Sequence, residues 1–210
     1  AEDKDLTTIQ RLITRLIPQK AEHFRFAKQQ QKKGKDSFTL TGKDGKIIIS
    51  GNNANAMAVG FNYYLNRYCH TTVSWYAEVP VVLPNKLPEV KGTITSSAKV
   101  DRRFFLNYCT YGYTLPFFGW KDWERLIDWM ALNGINMPLA ITGQEMVWYN
   151  VWSKLGMTDQ EIRSYFTGPT YLPWHRMANI DRWNGPLPKE WLEEQRDLQK
   201  QILARERAFN

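Results

Sequence analysis

Two neighbouring stretches decide the fold: RFFLNYCT, Arg103–Thr110, and WKDWERLIDWMALNGINMPLAIT, Trp120–Thr142. The first is rich in aromatic and β-favouring residues and reads as a strand. From Trp120 to Leu132 the apolar residues Trp120, Trp123, Leu126, Ile127 and Met130 recur at helical spacing. Asn133-Gly134 is a natural stop, because Gly tolerates the left-handed conformation after a helix. Ile135–Thr142 then reads as a second strand. Strand, helix and strand in about forty residues make a βαβ unit, which implies parallel pairing and a right-handed crossover.

Upstream, the sequence predicts a separate small unit over residues 1–98. Leu6, Ile9, Leu12, Ile13, Leu16 and Ile17 share a helical face, with Asp5 as N-cap and Pro18 as stop. Phe24 and Phe26 alternate with polar residues in a short strand. SFTLTG and KIIIS flank an Asp44-Gly45 turn, the signature of a hairpin. A helix follows, with Ala54, Met57, Phe61, Tyr64 and Leu65 on one face. Thr72–Tyr76 is expected to be another strand. Residues 77–99, with Pro80, Pro84 and Pro88, read as an extended connector holding a short strand at Val81–Leu83.

Downstream, helices are expected over Gln144–Leu155, Thr158–Phe166 and Pro188–Arg207. The fold class is therefore α/β: a small N-terminal α/β domain over 1–98, then the opening βα units of a (β/α)8 barrel over 99–210. A closed barrel takes about 250 residues, so the chain is expected to be the front portion of a longer protein.

The chain has 210 residues, 43% of them hydrophobic, and a formal charge of +7. Arg25, Lys28, Lys32, Lys33 and Lys35 carry much of the excess charge. They lie beside a polar stretch without stacking rings, which favours a solvated loop over a nucleic-acid surface. No apolar run is long enough to span a membrane. Cys69 and Cys109 form no metal-ligand spacing with His23, His70 or His175, so neither metal nor cofactor is expected. Nine tryptophans suit either packing or stacking on sugar rings.

Residues two apart on a strand share a face. Phe105, Asn107 and Cys109 would thus point together, and Leu106 and Tyr108 oppositely. Barrel sites form at the C-terminal ends of strands, where Asn107 and Cys109 fall, with Tyr113 on the loop beyond. An amide can donate to and accept from vicinal sugar hydroxyls. Equally, Asn107 could serve loop backbone and Cys109 could fill the barrel.

The runs RRFFLNYCTYGYT, DWERLIDWMALNGINMPLAITGQE and YFTGPTYLPWHRMANIDRWNGPLPKEW resemble the α-N-acetylglucosaminidases of glycoside hydrolase family 89. The resemblance implies exo-hydrolysis of terminal α-linked N-acetylglucosamine with retention of configuration. It implies a pocket holding Asn107, Cys109, Tyr113, Trp174 and Met177. It further implies partner structure in the rest of the barrel and a C-terminal helical domain, and an exported location. Retaining hydrolysis needs two carboxyl groups about 5–5.5 Å apart, and the family's two glutamates match nothing in these residues. They are expected beyond residue 210, so no catalytic residue is assigned here.

Glu145, just past the second strand, is read as a support at a helix start rather than as an acid. Glu124 and Asp128 are expected on a solvated or ion-paired face, and His175 as a hydrogen-bonding loop residue. A carbohydrate-binding module without chemistry is the alternative reading of the same aromatic residues.

Overall fold

The computed structural model describes residues 3–209 and resolves into two compact units. The first takes the chain up to Phe104, Glu124–Pro138, and the end of the last helix from Arg205 on. The second takes Phe105–Trp123 and Leu139–Ala204.

In the first unit, helix α1 spans Lys4–Leu16, strand β1 Phe24–Lys28, β2 Ser37–Lys43, β3 Lys46–Gly51, helix α2 Ala54–Arg67 and strand β4 Thr93–Ser97. The sheet order is β1-β3-β2-β4, with β1 parallel to β3 and the other pairs antiparallel. The β2–β3 hairpin turns at Asp44 and Gly45, both at positive φ (51° and 73°), as a two-residue type I′ connection requires. Side chains from both helices and the sheet's apolar face are fully buried. Ile9, Leu12 and Ile13 of α1 are among them, with Phe24, Leu40 and Ile49 of the sheet and Met57, Phe61, Tyr64 and Leu65 of α2. The Phe24 ring meets Phe61 and Tyr64 edge-on at 5.0 and 5.5 Å.

Three expectations for this unit are corrected. The N-cap of α1 is Asp3, whose carboxylate accepts from Asp5 and Leu6 N–H; Asp5 lies in the first turn and instead accepts from Ala54 N–H at 3.2 Å. Thr72–Tyr76 forms no strand, and neither does Val81–Leu83. The fourth strand is β4, inside the segment read as connector, where Thr93, Ile94 and Thr95 find an open edge on β2. Edge pairing can override a weak local pattern because the ladder partner supplies the backbone hydrogen bonds.

Strand β5 is Phe104–Phe105, helix α3 Thr110–Tyr113, helix α4 Trp120–Leu132 and strand β6 Met137–Pro138. Both strands are much shorter than expected. Leu106, at φ 73°, leaves the extended region and ends β5 after two residues. A left-handed conformation is costly for a branched side chain, so it persists only where surroundings enforce it; Leu106 is indeed buried. The Met137 N–H donates to the Arg103 carbonyl and the Leu139 N–H to the Phe105 carbonyl, at 3.2 and 3.0 Å. Equal steps in the same direction along both strands are the parallel pattern. Gly134 ends α4 at φ 75°.

Within α4, Trp123, Leu126, Ile127 and Met130 are buried, whereas Trp120 is half-exposed. Asp128 is buried and held by both oxygens to Arg15, at 2.8 and 2.6 Å, while Glu124 accepts from Arg205 at 2.9 Å.

The remaining helices are α5 Gln144–Lys154, α6 Asp159–Tyr165, α7 Leu172–Arg176 and α8 Lys189–Phe209. Thr158 and Glu161 form a reciprocal capping box at the start of α6. Trp148 and Trp152 of α5 stack on Phe166 with centroids at 6.2 and 5.6 Å, around a core of Met146, Ile162, Leu172, Leu187 and Leu192. No helix among the described residues is long and apolar enough to cross a membrane.

Candidate active site

The candidate site lies in the second unit, just past the C-terminal ends of β5 and β6. Because β5 stops at Phe105, strand alternation does not orient Asn107 and Cys109. A turn does. The Asn107 Oδ1 accepts from the Thr110 N–H at 3.1 Å, and the Thr110 hydroxyl donates to the Asn107 carbonyl at 2.7 Å. Asn107 therefore closes the turn that leads into α3, and one end of its amide serves loop backbone. Asn107 and Cys109 are both exposed, and Cys109 is a free thiol. Leu106, expected to oppose them on an outer face, is buried by the kink it makes.

Tyr113 ends α3, and its ring meets Trp174 edge-on, centroids 6.0 Å apart and planes 88° apart. This edge-to-face geometry is favourable for aromatic quadrupoles. Trp174 sits on α7 and Met177 follows at its C-terminus, the Met177 N–H donating to the Pro173 carbonyl at 3.1 Å. The three-residue spacing thus does place both on one helical turn. Tyr113 and Met177 are exposed, 67% and 40%, and Trp174 is half-buried. Direct contact joins Tyr113 to Trp174. No side-chain hydrogen bond or ring contact joins Asn107, Cys109 or Met177 to either of them among the described residues.

Two contributors escaped sequence reasoning. Gly112 is one: a Cβ there would lie 2.6 Å from Trp174 Cζ3 and 3.0 Å from Pro173 Cγ. Only a residue without a side chain lets α3 approach α7 this closely. A glycine between two tyrosines in a predicted loop was the available signal. Gly112→Ala is expected to push the Trp174 ring aside; a displaced Trp174 line in the fluorine spectrum of 5-fluorotryptophan-labelled variant protein checks it.

Arg176 is the other. It donates from Nε and Nη2 to both oxygens of Glu145, at 2.6 and 3.0 Å, and both side chains are almost wholly buried. Both Glu145 oxygens are thereby engaged at the start of α5, where the sequence reading places a support. On its other side, the Arg176 guanidinium lies 6.0 Å from the centroid of the Tyr111 ring. The Tyr111 hydroxyl donates to the Leu139 carbonyl at the end of β6. His175 departs from expectation. Its ring packs among Trp148, Tyr165 and Phe166 at 5.4, 5.1 and 5.6 Å, and its Nδ1 is buried without a hydrogen-bond partner among the described residues. Burial pushes its pKa down, favouring neutral imidazole.

The β5–α4–β6 order, with polar and aromatic residues beyond the strand end, is the layout found at the opening of a (β/α)8 barrel. The chain belongs to the alpha-N-acetylglucosaminidase family: the TIM-barrel domain of that family matches residues 103–210 and its N-terminal domain matches residues 7–89. Human alpha-N-acetylglucosaminidase is 38% identical over 99% of the chain. A family 89 glycoside hydrolase from Clostridium perfringens, solved with 2-acetamido-1,2-dideoxynojirmycin, superposes with a TM-score of 0.92 at 34% identity over 98% of the chain. The same similarity holds for a form of the Clostridium perfringens enzyme with two glutamates changed to glutamine, in complex with its substrate GlcNAc-alpha-1,4-galactose. The chain spans 28% of the human protein and 24% of the bacterial one.

Proposed function

We propose that the protein removes terminal α-linked N-acetylglucosamine from glycans by a retaining, two-carboxylate mechanism. Residues 1–98 are its N-terminal domain and 99–210 the start of its catalytic barrel. The observation that carries this reading is the Tyr113–Trp174 aromatic corner beyond the end of a parallel strand, in a chain of this family. An aromatic face there stacks on the apolar side of a pyranose or on an acetamido methyl. Asn107 and Cys109 line the same edge, and Met177 extends it.

Glu145, bound by both oxygens to Arg176, supplies neither carboxyl group. The nucleophile and the acid come from chain outside these 210 residues, as do the remaining barrel walls and a helical domain. The working compartment is an exported one.

An aryl α-N-acetylglucosaminide is the probe. The full-length protein is expected to cleave it with retention, and the 210-residue chain is expected to release no aryl alcohol. Turnover by the chain alone would overturn the placement of the acids. Binding of N-acetylglucosamine without turnover by the full-length protein would point to a binding module instead.

A further inference from the structure

The elements that carry the aromatic corner are short. Helix α7 has five residues and α3 has four, so neither holds a ring in place by its own backbone hydrogen bonds. Something else must fix Trp174. We infer that Arg176 is a positioning residue for the sugar site, clamping α7 against the start of α5 and the Tyr111 ring; the inference rests on the carbohydrate reading above.

Three contacts converge on the one guanidinium. Its two nitrogens grip Glu145. Glu145 lies in the first turn of α5, two residues after the N-cap Gly143 at φ 74°. A Cβ on Gly143 would lie 2.8 Å from the Gln195 carbonyl oxygen, so the α5 entry is seated hard against the α8 backbone. On its other side the guanidinium faces Tyr111, whose hydroxyl bonds the Leu139 carbonyl just past β6. Tyr111 precedes Gly112 and Tyr113. One side chain therefore references both halves of the corner, Tyr113 through α3 and Trp174 through α7, to the same strand end. A planar fork with two parallel bonds sets direction as well as distance, which a lysine point charge does not.

Two variants of the full-length protein separate positioning from mere stability. Arg176→Lys keeps the charge and removes the fork. The double change Glu145→Leu with Arg176→Met removes both charges together, a swap that buried pairs usually tolerate without loss of stability. Each is read by the KM and kcat for an aryl α-N-acetylglucosaminide. Each is also labelled with 5-fluorotryptophan, the Trp174 line being assigned by its loss in Trp174→Phe.

Both variants are expected to fold, to shift or split the Trp174 line, and to raise KM about tenfold while kcat changes less than about threefold, the pattern of lost binding interactions rather than lost chemistry. A Trp174 line unmoved in the folded variants, or a KM within about twofold of wild type, overturns the inference. If wild-type protein cleaves nothing, the carbohydrate reading falls, and the Trp174 line alone then decides whether Arg176 positions the corner.

Discussion

Replacing Arg176 by methionine is expected to lower the free energy of unfolding by about 3–5 kcal/mol, because it leaves a buried carboxylate without its partner. The Glu145 side chain has no measurable exposure, and Arg176 supplies both of its hydrogen bonds. Removing one member exposes the full cost of desolvating the other, which is far more than the pair contributes by existing. Glu145→Gln is expected to cost less than Arg176→Met, since the amide retains an acceptor for one guanidinium nitrogen and a cation tolerates burial beside the Tyr111 ring. Urea unfolding of the three proteins ranks them. Equal stability of wild type and Arg176→Met would mean that water reaches Glu145. Exposed pairs of the same fold make a useful control: Arg196–Asp197, with side chains 39% and 59% exposed, should contribute little on removal.

A pH effect of comparable size is expected from Glu206. Burial alone pushes its carboxyl from the ordinary value of 4.5 up to about 7, and its Oε1 is buried without a hydrogen-bond partner among the described residues. The folded state therefore holds this proton more tightly than the unfolded chain does. Its stabilising contribution is complete below pH 4.5 and is lost as pH rises through about 7. Such a shift corresponds to roughly 3 kcal/mol. Unfolding measured from pH 4 to pH 8 in wild type and Glu206→Gln isolates the effect. The wild-type curve should fall relative to the variant by about that amount, and parallel curves would show that Glu206 is hydrated in the fold.

Much of the architecture was legible along the chain. The hairpin at Asp44-Gly45 follows from turn chemistry, because few dipeptides accept positive φ twice in succession. Helix α2 shows its buried face in a regular spacing, and α4 begins and ends where its periodicity and Gly134 place it. The βαβ order of β5, α4 and β6 could be read because three local patterns occur in sequence. Strand lengths could not. β5 stops at Phe105 because Leu106 turns into the left-handed region and is buried there, which no local pattern announces. Nor could β4 be distinguished from Thr72–Tyr76, since which segment fills a sheet edge depends on a partner strand more than fifty residues away.

The candidate site divides in the same way. Asn107, Cys109, Tyr113, Trp174 and Met177 could be named from motifs whose order survives in the sequence, and the family comparisons match the stretches that hold them. Their geometry could not. The Tyr113–Trp174 contact, the clearance at Gly112 and the Glu145–Arg176 fork join residues 31 or more positions apart.

Local propensity, turn chemistry and apolar period act within a few residues, so the amino-acid sequence by itself determined the long helices, the hairpin, the βαβ order and the family. Burial and pairing act between elements brought together by folding. Only the tertiary structure, therefore, decided that Glu145 is gripped by Arg176, that the His175 ring packs among aromatic side chains, and that Asn107 is presented by a turn and not by a strand.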